Sequence, residues 1–132
     1  MADINVAIIG VGNCASSLVQ GITKYADSGP DDVIPGLMHP VLGEYGIGDI
    51  NVVAAFDVDA NKVGKDLSEA IFSEPNNTVK FQDVPSQDVV VQRGMTHDGI
   101  GRYTSEIITK AGGGTDDVAA ILKEREVIIL WL

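Results

Sequence analysis

Basic residues are scarce in this sequence: nine Lys and Arg stand against 19 Asp and Glu, for a formal charge of −10. Between Lys24 and Lys62 there are none, while Asp27, Asp31, Asp32, Glu44, Asp49, Asp57 and Asp59 all fall in that gap. Binding nucleic acid requires a basic footprint that displaces counterions from phosphates, so nucleic acid is excluded as a partner. The charge imbalance speaks to solubility rather than to fold. Cys14 is the one cysteine, which leaves no internal disulfide. His39 and His97 have no partner at ligand spacing, so no metal site is expected. No apolar run approaches the roughly 18–20 residues that span a bilayer. Met1-Ala2-Asp3 puts an acid where a secretory signal carries bases. Together these absences point to a soluble cytoplasmic protein without a membrane partner. What remains is 132 residues, 45% hydrophobic and 21% charged, which suits one folded domain with a real core.

Asn5–Ile9 is a short apolar run closed by glycines, the pattern of a buried parallel strand. Ala15, Leu18, Val19, Ile22 and Ala26 then recur at helical spacing, predicting a helix from about Cys14 to Tyr25. Residues 28–50 hold three of the five prolines and five of the 15 glycines, and read as one long loop. Asn51–Phe56 is a second strand ending at Asp57. Val63, Leu67 and Ile71 stripe a following helix with Asp59 as its cap. Val79–Phe81 is a weak strand and Val89–Gln92 a stronger one. Tyr103, Ile107, Ile108 and Ala111 predict a third helix closed by Gly112–Gly114. Thr115 caps a short fourth helix holding Val118, Ile121 and Leu122, and Val127–Leu132 is a final buried strand. Alternating strands and helices predict an α/β, Rossmann-like fold: a mainly parallel sheet with flanking helices.

Gly10-Val11-Gly12-Asn13-Cys14-Ala15 fits G-x-G-x-x-A between a strand and a helix, the context in which that motif binds dinucleotides. Gly10 permits the tight turn, Gly12 lets the backbone approach a pyrophosphate, and Ala15 lets the helix pack close on the strand. The helix start offers free N–H groups and a partial positive charge to the phosphates, and the Asn13 side chain offers a further hydrogen bond. A tight strand–helix turn without ligand is the bland alternative. Asp57, at the end of the second strand, stands where an acid accepts hydrogen bonds from the adenosine ribose; otherwise it is a helix cap or a solvated loop acid. An acid here repels a 2′-phosphate, which favours NAD over NADP. That acid normally follows the motif by about 20 residues, and the 28–50 insertion explains its later place. Cys14, at the helix start, is either a reactive thiol or a small residue packed under the cofactor. Trp131 and Phe56 read as core or pocket wall.

Longer strings narrow the reading. Val6–Ile22 (VAIIGVGNCASSLVQGI), Pro35–Leu67, the segment around Glu74-Pro75-Asn76-Asn77-Thr78, and Val89–Gly101 (VVVQRGMTHDGIG) resemble the amino-terminal part of bacterial and archaeal myo-inositol-1-phosphate synthases. The likeness runs from about Val6 to Ile108, with looser similarity from Lys110 onward. It implies a full-length enzyme converting glucose 6-phosphate to inositol phosphate without net redox. In that cycle bound NAD oxidises the sugar, an enolisation and an intramolecular aldol closure follow, and NADH reduces the product. Carried over by motif, Gly10, Gly12, Asn13 and Cys14 line the pyrophosphate and Asp57 the ribose. Asn76, Asn77 and the Arg93–Asp98 stretch, with Gly94, lie near the cofactor. For Asn76–Thr78 the alternative is an Asn-rich turn, and for Arg93-Gly94 a strand-end turn with a surface arginine.

Family members are more than twice as long as this chain, and their lysines and phosphate-binding residues come later. The resemblance therefore implies a partial Rossmann-like NAD-binding domain over residues 1–132, truncated, with the catalytic domain and catalytic residues absent. Glucose 6-phosphate is then a ligand only in a full-length context. The competing reading is a stand-alone dinucleotide-binding module that senses NAD or serves a partner. Val127–Leu132 is also expected to be a sticky sheet edge, which predicts a homo-oligomer.

Overall fold

A computed structural model of the chain describes residues 3–95, 108–112, 114 and 116–132. Its framework is a parallel sheet of four strands: β1 (Ile4–Ile9), β4 (Ile50–Asp57), β5 (Gln92–Arg93) and β6 (Ile129–Trp131), in the spatial order β5-β4-β1-β6. Counted along the chain, these parallel strands run 3-2-1-4, the Rossmann order, and the direction of winding reverses between β1 and β6. Helix α1 (Asn13–Tyr25) and helix α2 (Leu67–Ala70) cover one face of the sheet; helix α3 (Val118–Glu124) covers the other. A small hairpin, β2 (Val41–Leu42) with β3 (Tyr45–Gly46), lies outside the sheet.

The core follows from the two central strands being covered on both faces. Ile8 and Ala55 pack with Val11, Ala15, Val19, Leu67 and Ile71 on the α1–α2 side. Ala7, Ala54 and Phe56 pack on the other side with Ile9 and the apolar stripe of α3, including Val118, Ile121 and Leu122. Fully burying a side chain such as Phe56, Ile8 or Leu67 stabilises by roughly 1.5–3 kcal/mol each. The β1–β4 register slips by one residue: Val6 pairs with Val52 but Ala7 with Ala54, so Val53 is an extra residue in β4. The guanidinium of Arg125 donates to the Val53 carbonyl at 2.7 Å.

Several elements depart from the sequence expectation, each for a local reason. The 28–50 loop contains the β2–β3 hairpin, turned at Gly43 (φ +64°), and a 3-10 turn at Ile47–Asp49. The helix expected from Asp59 is interrupted. Asp59 caps only a turn, its carboxylate accepting from the Asn61 N–H at 2.9 Å, and Gly64 (φ +89°) ends that turn. Asp66 then caps α2, accepting from the Ser68 N–H at 3.0 Å. Leu67 and Ile71 are buried as expected. Val79–Phe81 is not a strand. Val89–Val91 pairs with the 64–67 turn, through Gly64 N–H to Val91 O and Leu67 N–H to Val89 O, so only Gln92–Arg93 reaches the sheet.

Ile108 and Ala111 are not helical. Ala111 donates to the Val58 carbonyl at 2.7 Å and Lys110 bridges Asp59, while Tyr103 and Ile107 lie outside the described residues. Asp117 caps α3, through Ala120 N–H at 3.1 Å; Thr115, the expected cap, is outside the described residues. Finally, the last strand is exposed rather than buried: Ile129, Leu130 and Trp131 retain 47%, 43% and 39% of their accessible surface. It pairs only with β1 and forms an edge among the described strands.

Candidate functional site

The site is built where β1 passes into α1. Gly10 takes φ +94°, a conformation that side chains with a Cβ avoid, and its N–H bonds the Phe56 carbonyl at 2.8 Å. The chain thus leaves β1 still attached to β4 and turns sharply. Gly12 is the N-cap of α1 and supplies no side-chain cap, so the first-turn N–H groups point outward with the positive end of the helix dipole. A Cβ built on Gly12 meets nothing within 4 Å, leaving open space in front of the turn. Ala15 is 1% exposed and brings α1 close to the sheet. These features fit a dinucleotide pyrophosphate.

Asp57 ends β4 beside this turn. One carboxylate oxygen accepts from the Val11 N–H at 2.7 Å; the other accepts from the N–H groups of Val58 (2.7 Å) and Asp59 (2.9 Å). A carboxylate offers about four acceptor positions, so three are spent on backbone and one is open. Asp57 thereby ties the glycine turn to the end of β4 before any ligand is considered. A cavity of about 130 Å³ opens here, lined by Ile9, Gly10, Phe56, Asp57, Val58, Gly94 and Met95. Gly94 donates to the Asp57 carbonyl at 3.0 Å, and a Cβ on it would stand 3.4 Å from Phe56 Cβ. On the other side of the turn, Asn13, Cys14, Ser17, Leu18, Thr78 and Trp131 line an open groove of about 560 Å³. The two depressions flank the switch between β1 and its neighbours, where open α/β sheets bind ligands.

The remaining sequence candidates divide. The Asn13 side chain faces the 77–78 backbone: its oxygen accepts from the N–H groups of Asn77 (2.8 Å) and Thr78 (3.0 Å) and from the Thr78 hydroxyl (2.8 Å). Its amide nitrogen donates to the Asn77 side chain at 3.0 Å. Asn76 sits behind the turn, donating to the carbonyls of Val11 (3.1 Å) and Ile71 (3.0 Å) and accepting from Lys62 Nζ at 2.9 Å. Cys14 is exposed at the groove. Arg93 is no surface residue: it is 6% exposed, its guanidinium donates to the carbonyls of Ala111 and Gly94, and its N–H donates to Asp116. Asp98 lies outside the described residues. The structure thus gathers Gly10, Gly12, Asp57 and Gly94 in front of the turn, with Asn13, Asn76 and Asn77 bracing it. Thr78 stands in the sequence reading only as the end of the Asn76–Thr78 segment, with no role of its own, and Lys62, which is 5% exposed, is not singled out there. Both are polar residues committed to contacts distant in sequence, and no local signal marks them.

No family model matches the chain. The inositol-3-phosphate synthase of Mycolicibacterium smegmatis is 56% identical over 128 residues, covering 97% of this chain and 35% of that protein. The synthase of Mycobacterium tuberculosis is 52% identical with the same coverage, and that of Corynebacterium glutamicum is 46% identical over 131 residues. The match therefore continues past Ile108, where the resemblance in sequence loosens to the eye. Among solved structures, Ari2 superposes with a TM-score of 0.72 at 28% identity, over 97% of this chain and 38% of that one. A myo-inositol-1-phosphate synthase-related protein from Thermotoga maritima superposes with a TM-score of 0.64 at 22% identity, covering 97% of this chain and 33% of that one, and supports the fold. No described helix is long and apolar enough to cross a membrane. The chain spans about a third of the length of the curated relatives it matches, and over that span it belongs to the inositol-3-phosphate synthase family.

Proposed function

We propose that this chain binds NAD at the Gly10–Ala15 turn, as the dinucleotide-binding part of an inositol-phosphate synthase. The observation that carries the reading is the Asp57 carboxylate, held 2.7 Å from the Val11 N–H beside an uncapped helix start. Pyrophosphate oxygens accept hydrogen bonds from the Gly12 and first-turn N–H groups. The adenosine lies over the cavity between Gly10 and Gly94, and one ribose hydroxyl donates to the open position on Asp57. A 2′-phosphate would meet that anion, and the neighbouring Arg93 is buried with its guanidinium on the Ala111 and Gly94 carbonyls, so NADP binds weakly. The nicotinamide end reaches across the β1–β6 switch toward the groove of Cys14 and Trp131. When bound, NAD supplies the reversible hydride acceptance that the family's redox-neutral isomerisation of glucose 6-phosphate requires. Stabilising an enolate also needs positioned cations, and the described residues collect no such group in front of the turn. These 132 residues alone are therefore proposed to bind NAD without isomerising the sugar phosphate.

Calorimetric titration tests this. Micromolar NAD affinity, about −8 kcal/mol, is expected, with at least tenfold weaker NADP binding. Absence of NAD binding, or equal affinity for NADP, refutes the reading of the site. Inositol phosphate formed above background from glucose 6-phosphate by the purified chain refutes its catalytic incompleteness.

A further inference from the structure

We infer that Asn76 is a positioning residue that aims and strengthens the Gly12 N–H as a pyrophosphate donor, drawing on the buried ammonium of Lys62. The inference rests on the NAD reading above but concerns a residue that does not touch the cofactor. The argument begins with the Val11–Gly12 peptide. In a trans peptide the carbonyl and the following N–H point in opposite directions. The Asn76 amide holds the Val11 carbonyl at 3.1 Å, from behind the turn, and so fixes the Gly12 N–H on the opposite, open side. The preceding peptide is fixed independently, since the Val11 N–H is held by Asp57 at 2.7 Å. With both peptides flanking Val11 anchored, a turn built on two glycines has lost the freedom those glycines would otherwise give it.

Asn76 is itself well determined. Its amide nitrogen also donates to the Ile71 carbonyl at 3.0 Å, and its oxygen accepts from Lys62 Nζ at 2.9 Å. Lys62 is 5% exposed, and among the described residues Asn76 is the hydrogen-bond acceptor its ammonium finds. The chain Lys62 Nζ to Asn76 Oδ1, then Asn76 Nδ2 to the Val11 carbonyl, runs all its donors in one direction. Each link polarises the next, so the charge of Lys62 is felt at the Gly12 N–H without a cation facing the ligand. This explains how an acidic chain with no Lys or Arg from position 25 to 61 prepares a site for a diphosphate.

The test uses the 132-residue chain, with NAD and adenosine as paired probes; adenosine lacks the pyrophosphate. Asn76→Ala removes the whole relay. Asn76→Asp keeps an acceptor for Lys62, which protects the fold, but offers the Val11 carbonyl no donor. Both variants are expected to bind NAD about tenfold more weakly, the scale of one hydrogen bond, with adenosine affinity within about twofold of wild type. Lys62→Met, which leaves Asn76 in place, is expected to weaken NAD about threefold on the same pattern. Unchanged NAD affinity in a folded position-76 variant overturns the inference while leaving the NAD reading intact. A parallel loss of NAD and adenosine, or failure of both variants to fold, makes Asn76 a fold determinant and overturns it too. A wild-type chain that binds no NAD instead refutes the reading on which the inference rests.

Discussion

Substituting Asp57 should damage the fold and the ligand site together, in proportions that the geometry specifies. Asp57→Ala strips the acceptor from three backbone N–H groups, on Val11, Val58 and Asp59. A hydrogen bond to a charged group contributes about 1.5–3 kcal/mol. Val58 borders an open cavity where water can replace the carboxylate, whereas Val11 is fully buried. Taking the Val11 bond nearly in full and discounting the other two gives a loss of about 2–4 kcal/mol. That is a large share of the roughly 5–15 kcal/mol typical of a domain. Asp57→Asn keeps an oxygen for Val58 and Asp59 but turns an NH2 toward the Val11 N–H, so about 1–2 kcal/mol is expected. Urea unfolding, followed by circular dichroism, measures both. NAD titration of the same variants should show weakened binding, and Asp57→Asn should lose much of its discrimination against NADP. An Asp57→Ala chain within about 0.5 kcal/mol of wild type, the scatter of an ordinary surface substitution, would refute the claim that this carboxylate holds the turn.

Gln20 is fully buried in α1, its oxygen accepting from the N–H groups of Phe81 (2.8 Å) and Gln82 (3.2 Å). Gln20→Leu should cost about 1–3 kcal/mol by orphaning those donors, and limited proteolysis should cut first near 79–82. The Asp66 carboxyl is pushed up by partial burial, but hydrogen bonds from the Ser68 hydroxyl and from the Gln87, Ser68 and Val89 N–H groups outweigh this and hold it below the ordinary 3.8. A lowered folded value means its stabilisation is present above that ordinary value and lost as pH falls through the folded one. Melting temperature measured against pH should therefore fall less steeply below about pH 4 in Asp66→Asn than in wild type. Trp131 is the one tryptophan and lines the groove beside Cys14, so NAD should change its emission in a saturable way and adenosine should not.

The parts of this fold that the sequence declares are those with strong periodicity. β1, α1 and β4 stand within a residue or so of their expected bounds, because runs such as NVAII and NVVAAF fit only a strand covered on both faces. The Gly10 turn is legible for the same reason: a motif with mechanical requirements sits between a strand and a helix. What escapes is decided by contacts far apart in sequence. Gln20 and Ser16 lie on the buried side of α1, where an apolar stripe gives no hint of them, because Gln20 reaches the backbone at Val79–Gln82. Val89–Val91 has every strand propensity yet spends its hydrogen bonds on the 64–67 turn. Asn13 is recognisable as a site residue, but its bonds to Asn77 and Thr78 bridge 64 and 65 positions. Apolar character in Val127–Leu132 signals a strand at the sheet edge without revealing that its side chains stay exposed.

The extra residue at Val53 has a consequence for where Asp57 points. In an unbroken strand, side chains an odd number apart face opposite sides. Val52 packs on the α1–α2 side of the sheet, and Ala55, three residues on, packs there as well. The slip between them changes the parity of β4 halfway along its length. Residue 57 inherits the parity of Ala55, and its carboxylate arrives on the side where α1 begins. Were Val53 paired in an unbroken strand instead, Val52 and Asp57, five residues apart, would face opposite sides and the acid would be delivered to the α3 side. In this framework the glycine turn and its acidic partner meet because one strand is out of step with its neighbour by a single residue.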